Sequence, residues 1–289
     1  MRAQRLGIAL GIGLLLAGCG RDARVIVGSK NFTEQRILGE LIAQTIEAAG
    51  MPVRRRFDLG GTFVCDAALR QGGLDVYVEY TGTALTAVLK QPVDGDPKRV
   101  FDQVAAAYRA ADLEWLPPLG FDNTFAMVVR SDEAAKSLSE ATAAARQWKA
   151  GFGYEFQTRP DGYPALQRVY GLAFAEIRTM DLGLLYRALG DRQIDVAAGS
   201  VTDGLIDVMG FRVLADDRHA FPPYEAAPVA RADAFTRHAG LREALTALGG
   251  TITAADMRRM NAAVDGEHRD VATVVRAWRD RRGGAQPPP

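Results

Sequence analysis

Three aromatic residues lie at predicted turns, where a ring can face a ligand. Tyr80 ends the apolar segment "LDVYVEY", Phe125 lies in "GFDNTFAMVVR", and Tyr224 lies in "HAFPPYEAAPVAR". Aromatic faces that line a cleft bind a quaternary ammonium by cation–π attraction, because that cation has no hydrogen-bond donor. Core packing is the alternative explanation for each ring taken singly. Together, the three rings favour a site for a small cation.

Two basic residues at predicted turns suit an anionic group. Lys30 lies with Ser29 and Asn31 between a strand and a helix, and Arg159 in "QTRPDGYP" also comes just before a helix. A helix N-terminus with a nearby cation can hold a carboxylate. The alternative for both residues is a solvated or ion-paired surface charge. A ligand with an ammonium and a carboxylate would use both kinds of residue.

Alternating strands and helices must position these side chains. "RVIVGSKNFTEQRILGELIAQTIEAAG" predicts a strand, a turn and a helix, and the spacing of Asn31 and Glu34 predicts a capping box at that helix. Thr81 and Thr83 are predicted to cap the helix that follows Tyr80. The alternation continues along the chain and indicates α/β layers.

A weak internal repeat indicates two similarly built lobes. "ALRQGGLDVYVEYTGT" (68–83) parallels "ALGDRQIDVAAGSVTDG" (188–204), and each copy predicts a helix end, a strand and a turn rich in small hydroxyls. Segments 120–130 and 219–231 are predicted to cross between the lobes. Residues 232–281 are predicted to be helical. The fold class is therefore α/β, with two lobes joined by two crossover segments and a ligand cleft between them.

The N-terminus predicts export and lipid attachment. Arg2 and Arg5 precede an apolar run from Leu6 to Leu16, which is too short to span a membrane and is typical of a secretory signal. The run ends in "LAGC", which resembles the bacterial lipobox, so Cys19 is predicted to carry the lipid. A plain signal peptide is the alternative.

Several function classes lack support in the sequence. The 35 basic and 35 acidic residues provide no basic footprint for nucleic acid, and the three histidines show no metal-binding spacing with cysteine. Walker and G-x-S-x-G patterns do not occur. Cys65 has no evident partner for nucleophilic chemistry and is predicted to be a small buried residue. No cofactor or metal is predicted, and an enzyme is disfavoured because a nucleophile–base pair is missing.

Six motifs in the same order resemble the substrate-binding component of osmoprotectant ABC transporters, which take glycine betaine, choline, carnitine and related solutes. They are "GSKNFTEQ", "DVYVEYTGTAL", "PLGFDNTFA", "RPDGYPALQ", "VTDG" and "FPPYEAAPV", and the resemblance runs over roughly residues 24 to 280. It implies a type II periplasmic-binding-protein fold that closes like a hinge. The implied domains are a signal peptide (1–18), lobe 1 (19–122 and 223–282), lobe 2 (123–222) and a disordered tail (283–289).

The resemblance also implies a ligand site. A lysine and an arginine of the family hold a carboxylate, and a cage of tyrosines surrounds the ammonium. This chain has Phe125 and Ser200 where family members often have tyrosines, so one ring loses its hydroxyl and one wall is missing. The residues implied to bind the ligand are Lys30, Tyr80, Thr83, Asn123, Phe125, Arg159, Ser200 and Tyr224.

The function implied is that of an exported, lipid-anchored monomer that delivers a small quaternary-ammonium solute to an ABC permease with its cytoplasmic ATPase. A different small ligand, such as an amino acid, a betaine-like thione or another cation, is the main alternative because Ser200 replaces a wall. No partnership with nucleic acid is predicted.

Overall fold

Two five-stranded sheets with flanking helices make up the computed structural model, which describes residues 24–283. The predicted α/β architecture is confirmed. The strands are β1 (Val25–Gly28), β2 (Val53–Arg56), β3 (Val76–Tyr80), β4 (Leu113–Trp115), β5 (Phe125–Arg130), β6 (Lys149–Phe152), β7 (Glu176–Thr179), β8 (Val196–Ser200), β9 (Phe211–Leu214) and β10 (Ala226–Arg231). The helices are α1 (Thr33–Ala48), α2 (Thr62–Arg70), α3 (Thr81–Thr83), α4 (Pro97–Arg109), α5 (Leu138–Ala145), α6 (Tyr163–Tyr170), α7 (Leu182–Gly190), α8 (Gly204–Val208), α9 (Ala232–Arg237), α10 (Leu241–Thr246), α11 (Ala254–Asp265) and α12 (Val271–Gly283), and a π-helical turn follows α3 at Ala84–Val88.

The two sheets have the same strand topology. The first has the order β2-β1-β3-β10-β4 and the second the order β7-β6-β8-β5-β9. In each, the third strand runs parallel to its neighbour on one side and antiparallel to its neighbour on the other. These third strands, β3 and β8, are the strands that the internal repeat predicts, so the repeat marks equivalent positions in the two sheets.

Two segments of the chain connect the sheets. The chain leaves the first sheet after β4, enters the second at β5, and returns to the first at β10. The connections therefore lie at 116–124 and 215–225, close to the two predicted crossovers. Each sheet with its helices is called a lobe below, lobe 1 for the first sheet and lobe 2 for the second. The division of lobe residues at 122 and 222 stays a prediction.

Helix α1, which the sequence predicts, packs an apolar stripe into the core. Ile37, Leu38, Leu41, Ile42 and Ile46 are all fully buried, as expected for residues repeated at helical spacing on one face. Helices α11 and α12 cover α1 from outside, and α11 also contacts α8 of lobe 2. Helix α11 therefore lies where the two lobes meet.

Two cap predictions are wrong. Helix α1 begins at Thr33 without a side-chain cap, so Asn31 and Glu34 form no capping box. Thr81 does not cap α3 but bonds to the backbone of the 223–225 segment in the connection, and Thr83 also makes no cap. At α4, by contrast, the side chain of Asp96 caps the helix, since it accepts from the Arg99 amide. Thr81 and Thr83 bond to distant segments of the chain, and these tertiary contacts take the place of the local cap.

Some of the other predictions concern residues outside those that the structure describes. Cys65 is fully buried, as predicted, and burial raises the pKa of its thiol to about 12. The predicted signal peptide and Cys19 lie outside the described residues, as does the tail apart from Gly283, which ends α12. Among the helices within residues 24–283, none is both long and apolar enough to cross a membrane.

Candidate functional site

The ends of equivalent strands bring the predicted site residues together. Tyr80 is the last residue of β3 and Ser200 the last of β8. The antiparallel neighbours place Ala226 of β10 opposite Tyr80, and Phe125 of β5 opposite Ser200. One cleft of about 820 Å³ is lined by all eight residues implied by the motifs, which are Lys30, Tyr80, Thr83, Asn123, Phe125, Arg159, Ser200 and Tyr224.

The aromatic side of the cleft is a cluster around Phe125. Its ring centroid lies 4.9 Å from that of Phe156, 5.6 Å from Phe221 and 5.0 Å from Tyr224, each at a steep interplanar angle. Edge-to-face packing of this kind stabilises the rings in fixed orientations. Tyr224 is therefore a cleft residue and a core residue at once, since its side chain is buried.

Tyr80 lies at the other side of the cleft and is also buried. Its ring stacks on Phe32 with the centroids 6.5 Å apart, and its hydroxyl donates to Oε1 of Glu34 at 2.7 Å. The Nζ atom of Lys30 lies 5.0 Å from the ring centroid, within cation–π range. The ring thus already interacts with the ammonium of Lys30.

Lys30 is buried in an ion pair rather than solvated at the surface. Its Nζ donates to Oε1 of Glu79 at 2.5 Å and to Oγ1 of Thr62 at 2.9 Å. Glu79 also accepts from the hydroxyl of Tyr77 at 3.1 Å. An ammonium has three protons, so two of them are used within the protein and one is left for a ligand oxygen.

Arg159 is held in a second buried ion pair. Its Nε donates to Oδ1 of Asp161 at 3.0 Å, and its Nη2 donates to Oδ2 of Asp161 at 2.5 Å and to Oγ1 of Thr83 at 3.0 Å. The hydroxyl of Tyr224 donates to the same Asp161 at 2.7 Å. Burial opposes ionisation of Asp161, but the Arg159 charge and these hydrogen bonds outweigh it and lower the pKa of the carboxyl.

The bonds of Arg159 connect the lobes and orient its free edge. Thr83 belongs to lobe 1, whereas Arg159 lies between β6 and α6 of lobe 2. Nη1 bonds neither to Asp161 nor to Thr83 and lies 4.0 Å from Oε2 of Glu155. Because Nε and Nη2 are occupied, Nη1 is the part of the guanidinium that can meet a ligand carboxylate.

Ser200 is partly exposed at the cleft, and its surroundings are polar. Its amide donates to Oδ2 of Asp203 at 2.8 Å, and the hydroxyl of Tyr186 donates to the same oxygen at 2.5 Å. Burial raises the pKa of Asp203 to about 6. Tyr186 also lines the cleft, but its hydroxyl is held by Asp203. Ser200 lies opposite Phe125 in the pairing of β8 with β5, so a larger side chain at position 200 would lie beside that ring.

Sequence reasoning missed several residues of the cleft. The spacing of Glu34 predicts a helix cap, whereas the residue lines the cleft. Burial raises the pKa of Glu34 to about 7, against the opposing effect of hydrogen bonds from Thr202, Tyr80 and Asn261. Phe156, which lines the cleft, is also missed, as is Asp161, which pairs with the cleft residue Arg159. Asp161 follows Arg159 by two residues within "RPDGY", and that spacing is the one signal that could have suggested the pair.

Comparison with known proteins identifies the family. Residues 23–281 match the model of the substrate binding domain of the ABC-type glycine betaine transport system. The chain belongs to this family. It is thus a substrate-binding protein of an ABC-type transport system, and the resemblance seen in its motifs is confirmed.

Relatives and solved structures agree with the family. The chain is 35% identical to the glycine-betaine-binding protein of Pseudomonas aeruginosa, covering 91% of this chain and 89% of that protein. It is 30% identical to the carnitine transport binding protein OpuCC of Listeria monocytogenes, covering 91% and 88%. A crystal structure of a glycine betaine/carnitine/choline ABC transporter protein matches with a TM-score of 0.75 and 29% identity, over 90% of this chain and 98% of that one. These similar proteins are transport binding proteins and not enzymes, and the predicted periplasmic-binding-protein fold is confirmed.

Proposed function

We propose that this protein captures a small quaternary-ammonium solute of the glycine betaine or choline type and delivers it to an ABC permease driven by a cytoplasmic ATPase. The observation that carries the proposal is the meeting of the rings of Tyr80, Phe125 and Tyr224 with Lys30 and Arg159 in one cleft. Family membership and the betaine- and carnitine-binding relatives support it. The protein binds and releases its ligand without chemical change.

Each end of a zwitterionic ligand has a partner in this cleft. The trimethylammonium group lies among the rings, because methyl groups bury apolar surface and the charge is attracted to the ring faces. The carboxylate lies toward the free edge of Arg159 and the remaining proton of Lys30. Closure of the lobes around the ligand then excludes water, which strengthens both interactions. Thr83 and Asn123 act through their bonds to Arg159 and Glu34.

A bulkier ligand is the second candidate, and Ser200 is the observation that favours it. The cleft of about 820 Å³ extends past Ser200 to Leu205 and Met209. Without a ring at position 200, this side is open to a ligand larger than glycine betaine. A betaine-like thione, an amino acid or a longer cation would keep the same fold and transport role.

A thermal-shift screen of the mature protein against betaines, cholines, amino acids and thiones tests the ligand class. A ligand at about 100 times its Kd should stabilise the folded protein by about 2.7 kcal/mol, since it binds only the native state. We expect glycine betaine or choline to raise Tm and their unmethylated counterparts, glycine and ethanolamine, to leave it nearly unchanged, because these lack the methylated ammonium that the rings would contact. A shift with amino acids or thiones and none with glycine betaine, choline or carnitine would contradict the proposed class.

The protein is further proposed to work outside the cytoplasmic membrane as a monomer anchored by a lipid on Cys19. The support is the "LAGC" sequence after the apolar run in residues 6–16. Stable attachment requires more than one acyl chain, since a single chain binds membranes only marginally.

Replacing Cys19 with alanine should move the exported protein from the membrane fraction to the soluble fraction. Fractionation with immunodetection measures this, and mass spectrometry of the wild-type N-terminus identifies the lipid. Cys65→Ala is the matched control and should leave the protein in the membrane fraction. A Cys19→Ala protein that stays in the membrane fraction, with no lipid on the wild type, would refute the anchor.

A further inference from the structure

The carboxylate of Glu34 accepts four hydrogen bonds at the junction of the lobes. Its Oε1 accepts from the hydroxyl of Tyr80 at 2.7 Å and from Nδ2 of Asn123 at 2.6 Å. Its Oε2 accepts from Oγ1 of Thr202 at 2.5 Å and from Nδ2 of Asn261 at 3.2 Å. The side chains of all five residues are buried.

The four donors come from four different segments. Tyr80 ends β3 of lobe 1, Asn123 lies in the first connection, Thr202 lies in the turn after β8 of lobe 2, and Asn261 lies on α11. Hinge motion of the lobes changes the position of the lobe 2 turn relative to lobe 1. The Thr202 bond is therefore the one that depends on how the lobes are arranged.

The turn after β8, which contains Thr202, packs closely against the residues around Glu34. Nδ2 of Asn123 donates to Oγ1 of Thr202 at 2.7 Å, and Nδ2 of Asn261 donates to the Thr202 carbonyl at 2.8 Å. Gly204 permits the approach, because a Cβ atom there would lie 2.1 Å from the backbone nitrogen of Ala262 on α11. Thr202 is thus held from three sides, and two of its partners are also donors to Glu34.

We propose that Glu34 is a positioning residue that couples the orientation of the Tyr80 ring to the position of Thr202. Closure of the lobes and ordering of the Tyr80 wall of the ligand site then occur together. The proposal rests on the proposed function for the role of Tyr80 as a ligand wall. Bonding to one oxygen of Glu34 fixes the Tyr80 ring, and bonding to the other holds the lobe 2 turn. Loss of the bonds to one oxygen of Glu34 therefore loosens the group that is bonded to the other oxygen.

A carboxylate is required at this position because both of its oxygens face donors. The NH2 groups of Asn123 and Asn261 can only donate, and one lies on each oxygen of Glu34. Rotating either side-chain amide to present its oxygen instead would break the bond that the same NH2 group makes to Thr202. A glutamine has one oxygen and one NH2 group, so one of the two asparagines would face another donor. Buried donors without an acceptor are costly, which makes Glu34→Gln a disruptive but nearly isosteric change.

The test measures ligand affinity and lobe separation in Glu34→Gln. At about pH 8, above the pKa of about 7 that burial gives Glu34, we expect the Kd for glycine betaine and for choline to rise about tenfold, which corresponds to about 1.4 kcal/mol. Dyes on introduced cysteines in α4 and α7 report the distance between the lobes by energy transfer, because Cys65 is fully buried and does not react. The distance distribution should broaden both without and with ligand.

Two further variants separate coupling from simple destabilisation. Glu34→Gln with Asn123→Asp exchanges donor and acceptor, since the new carboxylate accepts from the glutamine NH2, and this pair should recover affinity and the narrow distance distribution. Thr202→Val removes the lobe 2 donor with little change in volume and should broaden the distribution as Glu34→Gln does.

Glu40→Gln is the matched control on the same helix. Glu40 is also buried and accepts from Gln44 and Arg55, but it does not line the cleft. Glu40→Gln should lower Tm, while Kd and the distance between the lobes stay unchanged. The proposal is overturned if Glu34→Gln behaves like Glu40→Gln, or if the exchange with Asn123 recovers nothing. Failure of the wild type to bind either probe would instead contradict the proposed ligand class, and the lobe separation without ligand would still test the coupling.

Discussion

Replacing Arg159 with alanine should weaken binding of glycine betaine by about 1.5 to 3 kcal/mol, the range for a hydrogen bond to a charged group. This corresponds to about ten- to a hundredfold or somewhat more in Kd. The reason is the free edge of the guanidinium at Nη1, which the proposed site directs at the carboxylate. Choline has no carboxylate, so its binding should be weakened much less. Isothermal titration of both ligands measures the difference.

The same change should also lower stability, because Asp161 loses its partner in a buried pair. Removing one member of such a pair costs about 3 to 5 kcal/mol, so Tm is measured beside Kd. Arg130→Ala is the matched control: Arg130 pairs with Asp195 at 3.1 Å in lobe 2 and does not line the cleft. It should lower Tm and leave Kd unchanged. Equal losses for glycine betaine and choline would mean that Arg159 is structural, and no loss for either would place it outside the ligand site.

Ser200→Tyr should tighten the binding of glycine betaine or choline by up to about tenfold, since 1.4 kcal/mol is one decade in Kd. A ring at the end of β8 would restore a wall beside Phe125, and each aromatic face that contacts a desolvated methylated ammonium contributes about 0.5 to 2 kcal/mol. Tyr80→Ala, at the equivalent end of β3, should have the reverse effect. Titration of the wild type and both variants with the two ligands measures this.

Ser200→Ala is the control for the serine change, since it removes the hydroxyl without adding a ring, and it should leave both affinities nearly unchanged. If the true ligand is bulkier, Ser200→Tyr will weaken that ligand because the new ring occupies its space. Unchanged affinity for every ligand of the screen would show that position 200 does not face the ligand.

The sequence by itself determined the layered α/β architecture, the equivalence of the two lobes and the family. These depend on local patterns: the internal repeat marks β3 and β8 as equivalent strands, and helical spacing predicts the buried face of α1. Tyr80 ends a predicted strand, where an α/β sheet opens to ligands, so its position at the cleft could be predicted before any contact was known. The position of Ser200 at the cleft was implied by the resemblance of its motif to the family.

Only the tertiary structure decided how the charged groups are paired. The spacing of Asn31 and Glu34 fits a helix cap, yet Glu34 instead accepts from residues between 46 and 227 positions away in the chain. Lys30 pairs with Glu79, 49 positions away, and is buried rather than solvated. A buried charge is stable only where partners from other segments replace its water. Which segments supply those partners depends on how the lobes pack, and local sequence patterns carry no record of that packing.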